Sequence, residues 1–144
     1  NESECLLFFA SRSQLVAEKV ISLLNKRIFV ICDRFNDSTI AYQGYGFDMD
    51  VKKLEAISEF ATFNMHPSLT FYLDICSEKS FERRGKVNSD RIESKGHQYL
   101  EKVRQGFLSI SKKHSDRIIK IDASLTKQEI SESIWLTVKE KYDF

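Results

Sequence analysis

The chain has 144 residues, of which 42% are hydrophobic and 12% aromatic, enough to bury the core of one globular domain. Its 22 basic and 21 acidic side chains leave a formal net charge of +1, which argues against binding nucleic acid or an anionic membrane through a general basic field. No apolar run approaches the roughly 18 residues of a transmembrane helix. Three cysteines, an odd number in mostly apolar settings, predict reduced thiols and a cytoplasmic protein.

The apolar pattern alternates between helical and extended segments. A period of 3.6 residues predicts helices, and short runs rich in β-branched or aromatic residues predict buried strands. In chain order the predicted elements are a helix from Cys5 to about Asn25, a strand Ile28–Cys32, a helix that Asp50 caps and Pro67 stops, a strand Leu69–Ile75, a short helix over Phe81–Arg84 that Ser77 caps, a helix from Tyr99 to about His114, a strand Arg117–Ile121 and a last helix capped by Thr126. The side chains of the last helix expected to face inward are Ile130, Ile134, Trp135 and Val138.

Three alternations of strand and helix predict an α/β fold with a parallel sheet covered by helices on both faces. In such sheets, ligands bind beyond the carboxyl ends of the strands. Polar side chains stand at each of these ends: Asp33-Arg34 after the first strand, Asp74 in the second, and Asp122 with two small residues after the third. We therefore expect the chemistry of this protein at that edge of the sheet.

Phe8 and Arg12 are the first candidate pair for a binding site. They lie four residues apart on one predicted helix, so the ring and the guanidinium project from the same face. The ring could stack on a planar base, worth about 1–3 kcal/mol, while Arg12 donates a charge-assisted hydrogen bond to a carbonyl oxygen. The alternative is a core phenylalanine beside a surface arginine, which is common on amphipathic helices.

Asp33 and Arg34 form the second candidate pair. Arg34 could hold a phosphate bidentately, with Asp33 orienting it or holding a metal-bound water. A buried structural salt bridge explains the two residues equally well. Farther along the same loop, Tyr42 and Gln43 are either ordinary turn residues or the wall beside a sugar and the partner of a base edge.

A third constellation is basic. The stretch Gly85–Gly96 is polar and poor in apolar anchors, which predicts a mobile loop. Arg83, Arg84, Lys86 and Arg91 lie in it or beside it. A solvated basic loop is the usual meaning of such a pattern. The alternative is a closing lid whose arginines reach the charge that develops on a transferring phosphoryl group.

Five segments together carry a family resemblance. They are LLFFASRSQ at residues 6–14, DRFNDSTIAYQG at 33–44, LTFYLD at 69–74, DRIES at 90–94 and IDAS at 121–124. In this order and at nearly these intervals they resemble the thymidylate (dTMP) kinase family, over residues from about 5 to 138. The resemblance implies a P-loop kinase-like parallel sheet, one nucleoside-monophosphate-kinase domain over residues 1–144 with a lid at about 83–95, and conversion of dTMP to dTDP with ATP and Mg²⁺.

For the phosphate acceptor, the resemblance implies that Phe8 stacks on thymine and that Arg12 bonds the O4 atom of the base. Arg34 would hold the dTMP phosphate and help align it with the γ-phosphate of ATP. Asp33 would support Arg34 or the Mg²⁺ shell.

The rest of the acceptor pocket is implied to come from the DRFNDSTIAYQG segment. Thr39 matches the position that contacts the base, Ser38 lies beside it, and Gln43 lines the pocket. Tyr42 matches the aromatic residue that crowds the sugar 2′ position and so favours deoxyribose.

For the ATP side, the resemblance places Arg83, Arg84 and Arg91 in the lid, with Ala123 and Ser124 near adenine. A basic lid resembles the bacterial type of the family, in which the lid supplies the catalytic arginine. Arg91 is the first candidate for that role because DRIE sets its register.

The chain departs from the family pattern in one respect: residues 1–144 contain no GxxGxGK[ST] loop, and the family's first two strands are absent with it. The lysine and backbone N–H groups of such a loop hold the phosphates of ATP. We therefore expect an N-terminally incomplete kinase that is inactive alone, with unpaired backbone between Ile28–Cys32 and Leu69–Ile75.

The resemblance further implies a homodimer formed through the helix of residues 5–25. Two alternative functions remain open at this point. One is a non-catalytic fragment that binds dTMP or dimerises, and the other is a different deoxynucleotide or deoxynucleoside kinase.

Overall fold

The computed structural model describes residues 2–84 and 96–143, with the side chains of residues 81–84 left out. Its elements in chain order are α1 (Glu2–Leu15), a first π-helical segment (Val16–Val20), α2 (Ile21–Asn25), α3 (Asn36–Thr39), a second π-helical segment (Ile40–Tyr45), α4 (Val51–Ala61), β1 (Thr70–Asp74), α5 (Ser77–Arg84), α6 (His97–Lys113), β2 (Ile118–Asp122) and α7 (Lys127–Tyr142). None of the helices in these two ranges has the length and apolar character needed to cross a membrane.

Two helices begin at the caps that the sequence predicts. The carboxylate of Asp50 accepts a hydrogen bond from the backbone N–H of Lys53 at the start of α4. At the start of α7, the Thr126 hydroxyl accepts from the backbone N–H of Glu129, whose carboxylate accepts from the backbone N–H of Thr126. This reciprocal capping box satisfies two N–H groups that the helix itself cannot pair.

The sheet consists of β1 and β2, which run parallel with Thr70 opposite Ile118 and Asp74 opposite Asp122. The connection between them passes through α5 and α6, as parallel pairing requires a long crossover. The α/β class with a parallel sheet is therefore confirmed. Because the register aligns Asp74 with Asp122, both carboxylates stand at the same carboxyl edge.

The segment Ile28–Cys32 differs from the prediction. It forms no ladder with β1 or β2, and Ile31 is 96% exposed and Phe29 62% exposed. A strand of a sheet is defined by the neighbouring strand that pairs its N–H and C=O groups, and the described sheet pairs β1 with β2 only. The described sheet thus has two strands where the apolar pattern predicts three.

The hydrophobic core joins the helices to one edge of the sheet. Its most buried members come from α1, the second π-helical segment, α4, α6 and β2; they are Cys5, Phe9, Ile40, Ala41, Leu54, Ala61, Tyr99, Val103, Ile110 and Ile118. Gly46 permits the closest approach, since a Cβ there would lie 2.4 Å from the carbonyl oxygen of Tyr42 and 2.6 Å from the ring of Tyr99. The core therefore fixes the position of the segment that follows Ile28–Cys32.

Trp135 does not face the core as predicted. Its side chain is 53% exposed, and the Lys139 ammonium lies 6.0 Å from its ring centroid. Ile130, Ile134 and Val138, spaced by four residues, are partly buried and form the inward face of α7. Trp135 follows Ile134 directly, and one residue along a helix rotates the side chain by about 100° to another face.

Candidate functional site

Arg12 and Thr39 form a direct contact between α1 and α3. The Nη1 atom of Arg12 donates a hydrogen bond of 2.9 Å to the hydroxyl of Thr39. Thr39 is buried, with 4% of its surface exposed. Two residues that lie 27 positions apart, and that the resemblance assigns to the same base pocket, thus meet in the folded chain.

The surroundings of Arg12 are aromatic. Its guanidinium carbon lies 5.9 Å from the centroid of Phe9 and 5.5 Å from that of Phe35. Of the neighbouring residues Phe8 and Phe9, Phe9 belongs to the core and Phe8 is 45% exposed. A core Phe8 beside a surface Arg12 is therefore not what the structure contains. Burial lowers the pKa of Arg12, yet an arginine keeps its charge at neutral pH.

Arg34 occupies an unusual backbone conformation, with φ of 70°. A left-handed conformation is uncommon outside glycine and recurs at ligand sites. The Arg34 guanidinium carbon lies 5.1 Å from the ring centroid of Tyr42, a cation–π contact. Asp33 and Arg34 are both exposed, which rules out the buried structural salt bridge that the sequence left open.

The segment after Arg34 folds as one turn of α3 followed directly by the second π-helical segment. Gln43 is 4% exposed, and Ser38 and Tyr42 are partly buried. These residues are helical, so Tyr42 and Gln43 are not ordinary turn residues. Short π-helical segments are rare and often occur at functional sites.

Tyr42 belongs to an aromatic cluster with Phe107 of α6 and Tyr72 of β1. The Tyr42 and Phe107 centroids are 6.0 Å apart at an interplanar angle of 84°. Phe107 and Tyr72 are stacked, with centroids 5.0 Å apart and an angle of 14°. The cluster links the DRFNDSTIAYQG segment to the sheet.

An ion pair that the sequence did not predict joins the DRFNDSTIAYQG segment to the residue before β2. Arg117 donates from Nη1 and Nη2 to the two carboxylate oxygens of Asp37, at 2.9 and 2.7 Å. The side chains are only 11% and 15% exposed. Nη1 also donates to the Thr70 hydroxyl at 3.2 Å. Because the partners lie 80 positions apart, no local pattern indicates this bidentate pair.

A second missed group surrounds Asp74 at the carboxyl end of β1. Arg104 of α6 donates from Nε at 2.8 Å and from Nη2 at 3.2 Å, and the Tyr72 hydroxyl donates at 3.0 Å. The hydrogen bond from Arg104 is the main cause that lowers the pKa of Asp74. Burial, followed by the hydrogen bond to Asp74, raises the pKa of Tyr72. The position of Asp74 at the end of a strand predicts chemistry there, but its partner Arg104 lies 30 positions away in the chain and no local pattern indicates it.

Beyond these groups a cavity of about 290 Å³ opens at the carboxyl edge of the sheet. Its lining consists of Asp74, Ile75, Cys76, Lys79, Arg104, Lys120, Asp122 and Ser124. Ser124 donates its backbone N–H to the Asp122 carboxylate at 2.7 Å, and Ala123 donates its own to the Asp74 carbonyl at 2.8 Å. The position agrees with the expectation that a ligand site lies at this edge.

The predicted lid lies largely outside the part of the chain that the structure describes. Arg83 and Arg84 end α5, and Arg91 falls outside the described residues. Their assignment to the ATP side therefore stays a prediction.

Asp33, which the resemblance assigns to Arg34 or to the Mg²⁺ shell, is exposed and directly precedes Arg34. Within residues 2–84 and 96–143, no three His, Cys, Asp or Glu side chains are grouped as ligands of a metal ion. Mg²⁺ commonly keeps several waters and binds through one or two carboxylates together with substrate phosphates. An exposed carboxylate next to a candidate phosphate-binding arginine fits that mode of binding.

Comparison with known proteins supports the resemblance. The family profile described as "Thymidylate kinase" matches residues 1–134. The chain is 37% identical to a thymidylate kinase of Kosmotoga olearia over 134 residues, which cover 92% of this chain and 64% of that protein. It is 40% identical to a thymidylate kinase of Chlorobium limicola over 149 aligned positions, covering 96% and 68%. The chain spans about two thirds of the length of these relatives, and it belongs to the thymidylate kinase family.

Proposed function

We propose that this protein converts dTMP to dTDP, with ATP as the phosphoryl donor and Mg²⁺ as the metal. The observation that carries the proposal is the hydrogen bond between Arg12 and Thr39, because it joins the two polar residues assigned to the base in one partly buried place. Membership of the thymidylate kinase family supplies the reaction class.

Thymine recognition is assigned to the residues around that hydrogen bond. Arg12 donates to the Thr39 hydroxyl, and the O4 atom of thymine is an equivalent acceptor. Phe8, exposed one helical turn earlier, offers its ring for stacking. Ser38 and Gln43 complete the polar side of the pocket.

The remaining half-site is assigned to the sugar and phosphate. The proposed role of Tyr42 is to crowd the sugar 2′ position, and that of Arg34, whose guanidinium lies over the Tyr42 ring, is to hold the dTMP phosphate. Asp33 orients Arg34 or a water of the Mg²⁺ shell. Arginine suits this task because its planar fork matches two phosphate oxygens.

Phosphoryl transfer needs alignment and neutralisation of charge, without a covalent protein intermediate. Asp33 would hold Mg²⁺ through a water of its shell, and the bound ion would offset negative charge on the phosphates. Arg34 aligns the acceptor phosphate, and Arg91 of the lid is assigned to the charge that develops during transfer. Arg83 and Arg84 are assigned to ATP binding, and Ala123 and Ser124 to the neighbourhood of adenine.

We also propose a cytoplasmic homodimer formed through the helix of residues 5–25. Three leucines of α1 support this surface, since Leu6, Leu7 and Leu15 are 55%, 70% and 47% exposed. A helix that exposes several large apolar side chains is a candidate for burial against a second copy.

The reaction is tested by assaying the full-length protein with ATP and Mg²⁺ against dTMP, dUMP, dCMP and thymidine, with ADP release as the readout. We expect the largest kcat/KM for dTMP. A preference for thymidine would instead indicate a nucleoside kinase, and a preference for dCMP another deoxynucleotide kinase; either result contradicts the proposal.

A further inference from the structure

Phe107 contacts two tyrosines that come from different parts of the fold. Its ring is nearly perpendicular to that of Tyr42, with centroids 6.0 Å apart. It is stacked on the ring of Tyr72, with centroids 5.0 Å apart. Phe107 itself is partly buried against the core. The side chain therefore lies between Tyr42, the proposed sugar wall, and strand β1.

The side of Phe107 that faces β1 is firmly anchored. Tyr72 donates its hydroxyl to Asp74, and Asp74 accepts two hydrogen bonds from Arg104. Arg104 and Phe107 are three residues apart on α6, hence on the same face of that helix. Helix α6 thus supplies two groups: Arg104, which binds the carboxylate that accepts from Tyr72, and Phe107, whose ring stacks on Tyr72.

On the side of Phe107 that faces the candidate site lies Tyr42, whose ring is the proposed wall beside the sugar. Tyr42 is partly buried and contacts the Arg34 guanidinium at 5.1 Å. The Tyr99 hydroxyl donates to the Tyr42 carbonyl at 3.4 Å, which holds the backbone but not the ring. The Tyr42 side chain packs against the buried core, and Phe107 makes an edge-to-face contact with its ring.

We propose that Phe107 is a positioning residue, which holds the Tyr42 ring in the orientation that excludes a ribose 2′-hydroxyl. This inference rests on the proposed function, in which Tyr42 lies beside the sugar. Steric exclusion of one added hydroxyl requires a side chain, here the Tyr42 ring, whose orientation is fixed. A perpendicular aromatic contact restricts that rotation and is of the preferred edge-to-face kind.

The test compares kcat/KM for dTMP with that for ribothymidine 5′-monophosphate in the full-length protein. Phe107→Ala should lower this ratio by about 2- to 10-fold, the range that corresponds to one aromatic pair. The KM for ATP should stay unchanged, because Phe107 acts only through Tyr42. Phe107→Tyr keeps the ring and should retain the wild-type ratio.

A double-mutant cycle with Tyr42→Ala makes the test specific. Once Tyr42 is absent, Phe107→Ala should cause no further loss of selectivity, since residues that act as a unit are not additive. Leu100→Ala removes another partly buried side chain of α6 and serves as the control for lost stability. It should leave the ratio at its wild-type value.

Folding of each variant is checked by circular dichroism, and Phe107→Leu replaces Phe107→Ala if the alanine variant does not fold. An unchanged ratio in the folded variant, or additive effects in the cycle, overturns the role of Phe107. A wild-type protein that does not phosphorylate dTMP overturns the proposed function instead, so that the two failures are distinguishable.

Discussion

Arg12 shows how one side chain serves both the folded chain and the proposed site. It donates to Thr39 and lies against Phe9 and Phe35, so its guanidinium is already oriented before any ligand binds. A ligand carbonyl that takes the place of the Thr39 hydroxyl needs little rearrangement of Arg12. Preorganisation of this kind reduces the entropy that binding must overcome.

Arg34→Ala should lower dTMP turnover by about 10²-fold or more in the full-length protein, because the acceptor phosphate that Arg34 is proposed to hold would no longer be aligned for transfer. The fold should survive, since Arg34 is exposed. Arg27→Ala is the matched control: Arg27 is also exposed and left-handed, with φ of 58°. Steady-state kinetics and a thermal melt measure both effects. Near-normal turnover of Arg34→Ala would remove that residue from its role.

The lowered pKa of Asp74 makes the free energy of unfolding depend on pH in the acid range. Because Arg104 lowers the pKa of Asp74 in the folded chain, the carboxylate contributes stability above its ordinary pKa of about 3.9. That contribution is lost as the pH falls through the lowered folded value. Asp74→Asn should therefore weaken the pH dependence of unfolding below about pH 4.

Urea unfolding at pH values from neutral to acid measures this dependence. Asp116→Asn, at an exposed aspartate on the loop before β2, is the control and should keep the wild-type dependence. If Asp74→Asn unfolds with the same pH dependence as the wild type, the pair with Arg104 contributes nothing to acid stability.

At the scale of elements, the Asp37–Arg117 pair connects α3 to the beginning of β2. Arg117→Met should destabilise the fold by about 3–5 kcal/mol, since it leaves a buried carboxylate without its partner. Lys113→Met, which removes the more exposed pair between Lys113 and Glu55, should cost no more than about 1 kcal/mol.

The free energy of unfolding in urea distinguishes the two variants. The double variant Asp37→Leu with Arg117→Met should be less destabilised than Arg117→Met alone, because no charge is then left unpaired. Equal costs for Arg117→Met and Lys113→Met would show that the Asp37–Arg117 pair does not hold α3.

At the scale of the whole molecule, the Arg12–Thr39 hydrogen bond joins α1 to α3, and the sequence of 144 residues contains no GxxGxGK[ST] motif. We expect these 144 residues to bind dTMP without catalysing its phosphorylation, because the lysine and backbone N–H groups of such a loop are the groups that hold the phosphates of ATP. Calorimetric titration of dTMP and of ATP into the 144-residue chain measures this. Tight ATP binding or measurable ADP formation would contradict the expectation.

Sequence patterns located most elements because each depends on neighbours in the chain. The caps at Asp50 and Thr126 and the periodicity of α6 are local properties, so the helices were placed nearly correctly. The residues proposed for the site come from motif order, which a sequence displays directly. Their contacts were not found, since Arg12 and Thr39, or Asp37 and Arg117, are joined only by folding.

The amino-acid sequence was sufficient for the family and the α/β class, because motif order and periodicity are properties of neighbouring residues; the roles of the acceptor-side residues stay proposals. Three points required the folded chain: Ile28–Cys32 is not paired with β1 or β2 in the described sheet, Trp135 lies outside the core, and the Phe107 ring contacts that of Tyr42. Pairing, burial and ring packing each need a partner distant in the chain. Their free energy depends on where that partner lies in space, which no local pattern contains.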